Sequence, residues 1–463
     1  MIVIGGGLAG LSASVALAEA GCRVRLFEKR PHLGGRAASY ILPDGSHVDN
    51  CQHVTLGCCM NLSDFYRRVG ATGKIRFYDR LHFADGQGRR WKIELWPLPA
   101  PFHLAPSFLF FSALTWSDRR AIARALFRIV RSGGRPPGAG GISMLDWLQR
   151  RNQTPGAIAR FWRVVLVSAL DEELERTDAR YGIDVFWKAF LSNRNGFLLG
   201  IPSVPLGELY DGCRAAIEQR GGEVRTRAGI RGLRMADGRL AAVVLDDGTE
   251  ITADAYVLAV PHEDLLNLLP AGLAEREPVF ANLRNLRSSP ITGVHLWFDR
   301  PVMAEPYLAL LDRTVQWIFN KTKLYGQNGG EGEQYLQLVI SASYDLVPRS
   351  RQEIIDLCRK ELLGVLPATR EAELRKATVV KEVSATFSPE PGADQWRPGQ
   401  RSPIANLLLA GDWTQTGWPA TMEGAVRSGY LAAEAALDAA GSARKYLVPD
   451  LSAEGLCKLW SPR

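Results

Sequence analysis

The sequence feature that most restricts the fold is a glycine-rich turn directly after a short apolar segment at the N-terminus. Residues 1–4 are apolar, and Gly5-Gly6-Gly7-Leu8-Ala9-Gly10 follows with the spacing G-x-G-x-x-G. This context predicts a strand, a tight turn and a helix, because residues without side chains let backbone N–H groups approach a pyrophosphate at the helix N-terminus. A second strand, predicted over 23–27, ends at Glu28, where a carboxylate can accept hydrogen bonds from a ribose.

A second glycine turn, Gly34-Gly35-Arg36, distinguishes between the two common dinucleotide cofactors. An NAD domain has no need of it, whereas it lets the chain run close against a longer, buried cofactor. The Arg36 guanidinium can meet phosphate or flavin oxygens, or alternatively form an ordinary surface salt bridge. The sequence therefore predicts non-covalent binding of FAD by Gly5, Gly7, Leu8, Ala9, Gly10, Glu28, Lys29, Gly34, Gly35 and Arg36.

The C-terminal part of the chain supplies a matching segment. Residues 406–410 predict a buried strand that runs into Gly411-Asp412, and a helix of small residues is predicted from about 423 to 440. A helix N-terminus beside a flavin stabilises negative charge on the reduced ring. Asp412 can accept hydrogen bonds from ribityl hydroxyls, or it can simply cap a helix. The cofactor-binding residues predicted here are Gly411, Asp412, Thr421, Met422, Glu423 and Ala425, with Val224 added from a separate strand-rich block.

The strand-rich blocks are separated by stretches of different character, so the cofactor domain is predicted to be discontinuous. One block predicts hairpins at Asp237-Gly238 and Asp247-Gly248. The predicted fold class is α/β, with a Rossmann-like FAD-binding domain interrupted by a mixed sheet-plus-helix domain. We assign 1–80, 201–264 and 400–441 to the first domain, 81–200 and 265–399 to a substrate-binding, membrane-facing domain, and 442–463 to a C-terminal tail.

Composition narrows the functional classes. The net charge is +7, but lysine and arginine are spread along the 463 residues, which disfavours a nucleic-acid partner. The seven cysteines contain no C-x-x-C pair, so neither a disulfide framework nor a metal site is predicted, and a reducing, cytoplasmic location is expected. No signal-peptide pattern precedes the first strand. Hydrolase and kinase motifs are absent from the sequence.

Three longer runs carry a family resemblance: residues 48–58, 295–301 and 410–425. With the glycine turns, they make the chain resemble the superfamily of flavin amine oxidases and carotenoid-type desaturases, and within it the hydroxysqualene dehydroxylases. The resemblance covers nearly the whole chain and implies a GR2-type, amine oxidase-like FAD domain. One departure is Cys51, where the family pattern has glycine.

The resemblance implies reduction of hydroxysqualene to squalene by FADH2 with loss of water, a step of bacterial squalene and hopanoid supply. Protonation lets an allylic hydroxyl leave as water, and a hydride quenches the resulting cation. The predicted catalytic cluster is Asp49, Gln52 and His53, with His53 equally suited to a structural role. Trp317, Trp413 and Trp418 are expected to line a substrate channel or to belong to the core.

Three rival functions share the same fold. A carotenoid-type, phytoene-like desaturase has the same FAD motifs and moves the hydride from substrate to flavin. A flavin amine oxidase needs an aromatic cage and a lysine-linked water, neither of which can be assigned in the sequence. A non-catalytic carrier of prenyl groups would have lost its flavin contacts.

An apolar, aromatic stretch over 95–111 suggests contact with a membrane. Its prolines argue against a spanning helix, and Arg119, Arg120, Arg124 and Arg128 follow it, as in proteins that rest on anionic headgroups. We therefore expect a peripheral protein on the inner face of the cell membrane. An upstream squalene-pathway enzyme is a candidate partner. Alternatively, the stretch over 95–111 forms the wall of a substrate tunnel.

Overall fold

A computed structural model describes residues 1–326 and 332–461. Its cofactor domain is built on a parallel sheet whose strands come from distant parts of the chain. The five strands, in spatial order, are Glu223–Arg225, Arg25–Phe27, Ile2–Ile4, Tyr256–Leu258 and Leu407–Leu409. The carboxyl ends of parallel strands meet at one edge of a sheet, which is where ligands bind in such folds.

Two long helices pack together on this sheet, Leu8–Glu19 and Met422–Ala439. Both are rich in small residues, so their backbones come close enough for the Ser12 hydroxyl to donate to the Val426 carbonyl at 3.2 Å. The helix predicted from about 423 to 440 is thus confirmed within one residue at each end.

A small antiparallel sheet completes the cofactor domain with strands Ile230–Ala236, Arg239–Leu245 and Glu250–Ile251. The first hairpin turns at Asp237 and Gly238, whose φ angles are 50° and 71°. This is the turn expected for an Asp-Gly pair, since both central residues need positive φ.

The second domain is organised around a mixed sheet of seven strands. Their spatial order is Leu374–Phe387, Ser288–Phe298, Gln334–Ile340, Trp317–Asn320, Tyr307–Leu310, Arg80–Ala84 and Arg90–Glu94. Two smaller sheets connect the domains, formed by Ser39–Ile41 with His47–Asp49, and by Thr55–Leu56, Leu199–Pro202 and Ile75–Tyr78.

Most of the remaining helices lie in the predicted substrate domain, whereas Met60–Arg68 and Asp211–Glu218 pack against the helix pair of the cofactor domain. The α-helices outside the cofactor-domain pair are Met60–Arg68, Ala105–Phe110, Trp116–Arg131, Met144–Arg150, Pro155–Ala157, Arg163–Leu170, Ala179–Val185, Asp211–Glu218, His262–Leu268, Leu273–Arg276, Pro278–Ala281, Lys321–Tyr325 and Arg351–Val365. Two π-helical segments, Ile158–Trp162 and Phe186–Leu191, extend the helices beside them. Among the described residues, no helix is both long and apolar enough to cross a membrane.

The predicted C-terminal tail is attached to both domains as far as residue 461. Backbone N–H groups of Tyr446 and Leu447 donate to Glu434 at 2.7 and 2.8 Å. Farther along, the N–H of Glu454 donates to the Ser192 carbonyl at 2.8 Å. The segment 442–461 therefore contacts both domains. Residues 462 and 463 lie outside the described range.

Candidate active site

A cavity of about 530 Å³ opens at the carboxyl edge of the parallel sheet. It brings together predicted residues from both ends of the chain. Those that line it are Gly5, Gly7, Leu8, Ala9, Glu28, Lys29, Gly34, Gly35, Arg36, Gly411, Asp412, Thr421, Met422, Glu423 and Ala425.

Two predicted cofactor residues do not line this cavity. A side chain on Gly10 would lie 1.9 Å from the Gly5 carbonyl, so Gly10 shapes the turn instead of touching a ligand. Val224 is buried inside its strand, paired with Leu26, and its place at the cavity is taken by Ala228 and Ile230. The structure thus places Val224 away from the cavity lining, because the chain bends toward the site only after the strand ends.

The two glycine turns fit against each other. The N–H of Gly34 donates to the Gly6 carbonyl at 2.8 Å, and a side chain on Gly35 would lie 3.0 Å from the Gly7 Cα. Gly35 also has a φ of 61°, which favours a residue without a side chain. The two glycine turns thus form a stretch of cavity wall made of backbone without side chains, which we call the cradle.

Glu28 holds this cradle in place. One carboxylate oxygen accepts from the Gly6 N–H at 2.6 Å and the other from the Arg30 N–H at 2.7 Å. The side chain is buried at the cavity wall. Each oxygen has a further lone pair, so the carboxylate can also accept hydrogen bonds from a ribose.

Arg36 links the second glycine turn to the C-terminal block. Its Nη2 lies 2.7 Å from an Asp412 carboxylate oxygen, and Nη1 donates to the Ala385 carbonyl at 2.6 Å. These two contacts fix the position of the Arg36 guanidinium. Because Arg36 lines the cavity, its remaining donors are available to a bound anion.

Helix N-termini add positive potential at the same place. Met422–Ala439 begins at Thr421, whose hydroxyl accepts from the Gly424 N–H at 3.0 Å. Glu423 lines the cavity and also caps the Met60–Arg68 helix, since its carboxylate accepts from the Leu62 N–H at 2.7 Å. With the Leu8–Glu19 helix, the N–H groups and dipoles suit a pyrophosphate, so the residues present fit FAD.

Asp49 does not line the cavity. Its carboxylate accepts from Ser39 Oγ at 2.6 Å, Lys321 Nζ at 2.7 Å, Tyr325 OH at 2.6 Å and the Leu206 N–H at 3.1 Å. Burial opposes ionisation, but the charge and hydrogen bonds of Lys321 prevail and lower the pKa of Asp49 below its usual range. This geometry argues against Asp49 as a proton donor, because the carboxylate is ionised and fully occupied.

Gln52 and His53 do line the cavity. Gln52 accepts from Lys321 at 2.8 Å and donates to the His53 carbonyl at 2.9 Å. His53 Nδ1 lies 3.0 Å from the Cys51 carbonyl, which can only accept, so Nδ1 carries the hydrogen and Nε2 has a free lone pair. Since burial lowers the pKa of His53, the ring is suited to accept a proton rather than to donate one.

A carboxyl group that the sequence analysis did not single out also lines the cavity, that of Asp171. It follows the Arg163–Leu170 helix, with a left-handed φ of 53°, and it is only 6% exposed. Burial raises the pKa of Asp171 well above its usual range. Nothing in the local sequence indicates this position, because it is created by strands packed against the helix end.

A second cavity of about 320 Å³ lies in the predicted substrate domain. It shares a wall with the first: Val164 and Phe186 face the second cavity, while Ser168 and Ala189, from the same helical segments, face the first. Its lining is almost wholly aliphatic and aromatic. Trp413 and Trp418 line the first cavity and not the second, whereas Trp317 lines neither and donates to Ser168 at 2.7 Å.

Comparison with known proteins agrees with this arrangement. Residues 8–437 match the family described as flavin containing amine oxidoreductase. The chain belongs to this family. It is an FAD-dependent oxidoreductase with the amine oxidase-like fold.

Individual relatives extend the comparison over most of the chain. A zeta-carotene desaturase from Synechocystis is 29% identical over 94% of this chain and 96% of its own length. A 15-cis-phytoene desaturase from Solanum lycopersicum is 30% identical over 94% of this chain and 77% of its own length. An oxidoreductase from Methanosarcina mazei, 19% identical, superposes with a TM-score of 0.74 over 92% of this chain and 98% of its own.

Proposed function

We propose that this protein exchanges a hydride with a long isoprenoid chain. The observation that carries the proposal is the apolar cavity that shares a helical wall with the cofactor cavity. Its lining offers a hydrocarbon dispersion contacts but few hydrogen-bond partners, which suits a substrate with almost no polar groups. FAD, when bound, supplies the hydride transfer.

The relatives support desaturation as the direction of this reaction, since both curated examples are named as carotene or phytoene desaturases. Removing two hydrogens from neighbouring carbons gives one hydride to the flavin and leaves one proton to be accepted. His53 is suited to accept it, because its Nε2 is free and its ring is neutral.

A second candidate is the reductive dehydroxylation of hydroxysqualene, which the sequence resemblance also implies. The observation that favours it is Asp171, a buried carboxyl group at the cofactor cavity. A reaction that releases water from an alcohol consumes a proton, and a carboxylic acid kept neutral by burial can donate one.

An anaerobic experiment tests the proposal and separates the two directions. The purified holoenzyme is first examined for the visible spectrum of bound flavin. Oxidised enzyme is then offered phytoene or zeta-carotene, and dithionite-reduced enzyme is offered hydroxysqualene, with flavin absorbance and product mass followed together.

The outcomes are distinct. Flavin reduction with a product two hydrogens lighter supports desaturation, and flavin reoxidation with squalene formed supports dehydroxylation. No reaction with any isoprenoid would contradict the proposal, and the absence of bound flavin would favour a carrier of prenyl groups.

We also propose that the protein rests on a membrane and takes its substrate from it. Four exposed apolar side chains line the second cavity, those of Phe102, Phe127, Leu456 and Trp460. Close to lining residues in the sequence lie further exposed apolar side chains, Leu109, Phe110, Trp116 and Leu459, of which Phe110 is 79% exposed. These eight residues form the proposed apolar patch. Arg120, Arg124 and Arg128 are exposed nearby in sequence, whereas Arg119 is buried and donates to the Leu109 and Phe111 carbonyls. Such a surface suits an anionic bilayer, as on the cytoplasmic side of a cell membrane.

Flotation with phospholipid vesicles tests this surface. Phe110→Ser should weaken binding about tenfold or more, because an inserted phenyl ring contributes roughly 1.5–3 kcal/mol. Ile41→Ser is the matched control, as Ile41 is also well exposed but lies on a strand of the cofactor domain. Equal binding by all three proteins would contradict the proposed surface.

A further inference from the structure

Asp171 has an unusual backbone for a residue in a cavity wall. It adopts a left-handed φ of 53° at the end of the Arg163–Leu170 helix, and Ala342, which contacts it, has a φ of 49°. Left-handed conformations cost a residue with a side chain roughly 1–3 kcal/mol, and such residues cluster at functional sites. With this backbone, Asp171 lines the cofactor cavity.

The carboxyl group has hydrogen-bond partners but no compensating cation. One oxygen accepts from the Ala342 N–H at 2.8 Å, and the other lies 3.2 Å from Thr386 Oγ1. Within residues 1–326 and 332–461, no lysine, arginine or histidine forms a salt bridge with Asp171. Asp49 differs in this respect, because Lys321 compensates its charge at 2.7 Å.

The surrounding groups favour the neutral form of this acid. Glu172, the next residue, is completely buried and adds negative charge nearby. The cation closest to Glu172 is Arg176, at 3.5 Å, and Cys51 on the facing segment is a buried neutral thiol whose pKa burial raises to about 12. Burial and Glu172 therefore raise the pKa of Asp171, against the hydrogen bonds that lower it.

We propose that Asp171 is the proton donor of the reaction, transferring its carboxyl proton to the hydroxyl oxygen of an allylic isoprenoid alcohol. This proposal rests on the dehydroxylation direction of the proposed function. The C–O bond breaks, its electron pair leaves with the oxygen as water, and the allylic carbon is reduced by one hydride. The hydride would be supplied by reduced FAD, which would be oxidised, while Asp171 is left as a carboxylate and recovers its proton from solvent.

Asp171→Asn is a close mimic of the protonated acid. Asparagine tolerates the left-handed backbone, its oxygen can accept from the Ala342 N–H, and its amide can donate to Thr386. The variant should fold and bind FAD, yet it has no proton to give. Asp184→Asn is the matched control, since Asp184 lines the same cavity but is paired with Lys188 at 3.2 Å.

The first readout is the infrared spectrum of the resting oxidised holoenzyme, which does not depend on turnover. Wild-type protein and Asp184→Asn should show the same deuterium-sensitive absorption of protonated carboxylic acid near neutral pH, and the wild-type minus Asp171→Asn difference spectrum should contain the band of one such acid. A difference spectrum without this band would overturn the proposal.

The second readout is single turnover of dithionite-reduced enzyme with hydroxysqualene. Asp171→Asn should be at least about 100-fold slower than wild type, the contribution expected of a general acid. The wild-type rate should fall as the pH rises and Asp171 loses its proton. An unchanged rate in Asp171→Asn, or a wild-type rate independent of pH, would overturn the proposal even if the band is lost. If reduced wild-type enzyme leaves hydroxysqualene unchanged while the band belongs to Asp171, the dehydroxylation itself is refuted, and the donor role with it.

Discussion

Replacing Lys321 with methionine removes the partner of a carboxylate that the fold has taken out of water. Asp49 and Lys321 are 2% and 1% exposed and lie 2.7 Å apart. Breaking a buried pair by removing one partner costs about 3–5 kcal/mol, because the other charge remains buried without compensation. Ser39 and Tyr325 still donate to Asp49 in the variant, so we expect a loss of about 3 kcal/mol, near the lower limit.

Thermal unfolding of the holoenzyme measures this loss. With an unfolding entropy of about 2.1 cal/mol/K per residue, a chain of this length loses about 1 °C of Tm for each kcal/mol. Lys321→Met should therefore lower Tm by about 3 °C or more. Asp49→Asn should cost less, roughly 1–3 kcal/mol, because burial lowers the pKa of Lys321 and the amine can lose its proton.

The double variant Asp49→Asn/Lys321→Met provides the decisive comparison. It leaves no buried charge, so it should recover much of the stability lost in Lys321→Met. Asp438→Asn is the surface control, since Asp438 pairs with Arg401 at 2.6 Å but the two are 64% and 55% exposed; its effect should stay below about 1 kcal/mol. If Lys321→Met is no more destabilising than this control, the structural role assigned to the pair is refuted.

Three further predictions concern the cofactor cavity. Glu28→Ala should lose about 1.5–3 kcal/mol of FAD binding, or roughly 10- to 100-fold in affinity, and undiminished flavin after gel filtration would exclude the assigned ribose contact. Arg36→Met leaves the buried Asp412 carboxylate unpaired and should cost about 1–3 kcal/mol of stability with weaker flavin retention, whereas Arg36→Lys should restore part of both. Asp171→Asn should be more stable than wild type at neutral pH. Wild-type Asp171 keeps its proton in the folded state at pH values where the unfolded state has lost it. The free energy of unfolding of the wild type therefore falls as the pH rises above the usual pKa of aspartate, and that of the variant does not. This advantage should vanish in Tm measurements below the usual pKa range of aspartate, and a variant less stable at every pH would count against a protonated Asp171.

Features that depend on local backbone geometry could be predicted from the sequence. The glycine turns at Gly5–Gly10 and Gly34–Gly35, the carboxylate of Glu28 and the turn at Gly411 all line or shape the cavity. Each depends on a few consecutive residues, because a tight turn or a strand end restricts which residue types fit. The FAD cofactor followed from these turns alone.

The chemistry beside the cofactor was decided by tertiary structure. Asp49 follows the Gly34-Gly35-Arg36 turn in the sequence and was predicted to face the flavin, but Lys321, 272 residues away in sequence, pairs with it behind the cavity wall. Asp171 carries no motif, and its position depends on contacts with Thr386, in the strand Leu374–Phe387, and with Ala342, which follows the strand Gln334–Ile340. Whether a carboxyl group is ionised or protonated depends on its burial and on the charges around it, and only the packing of distant segments determines both.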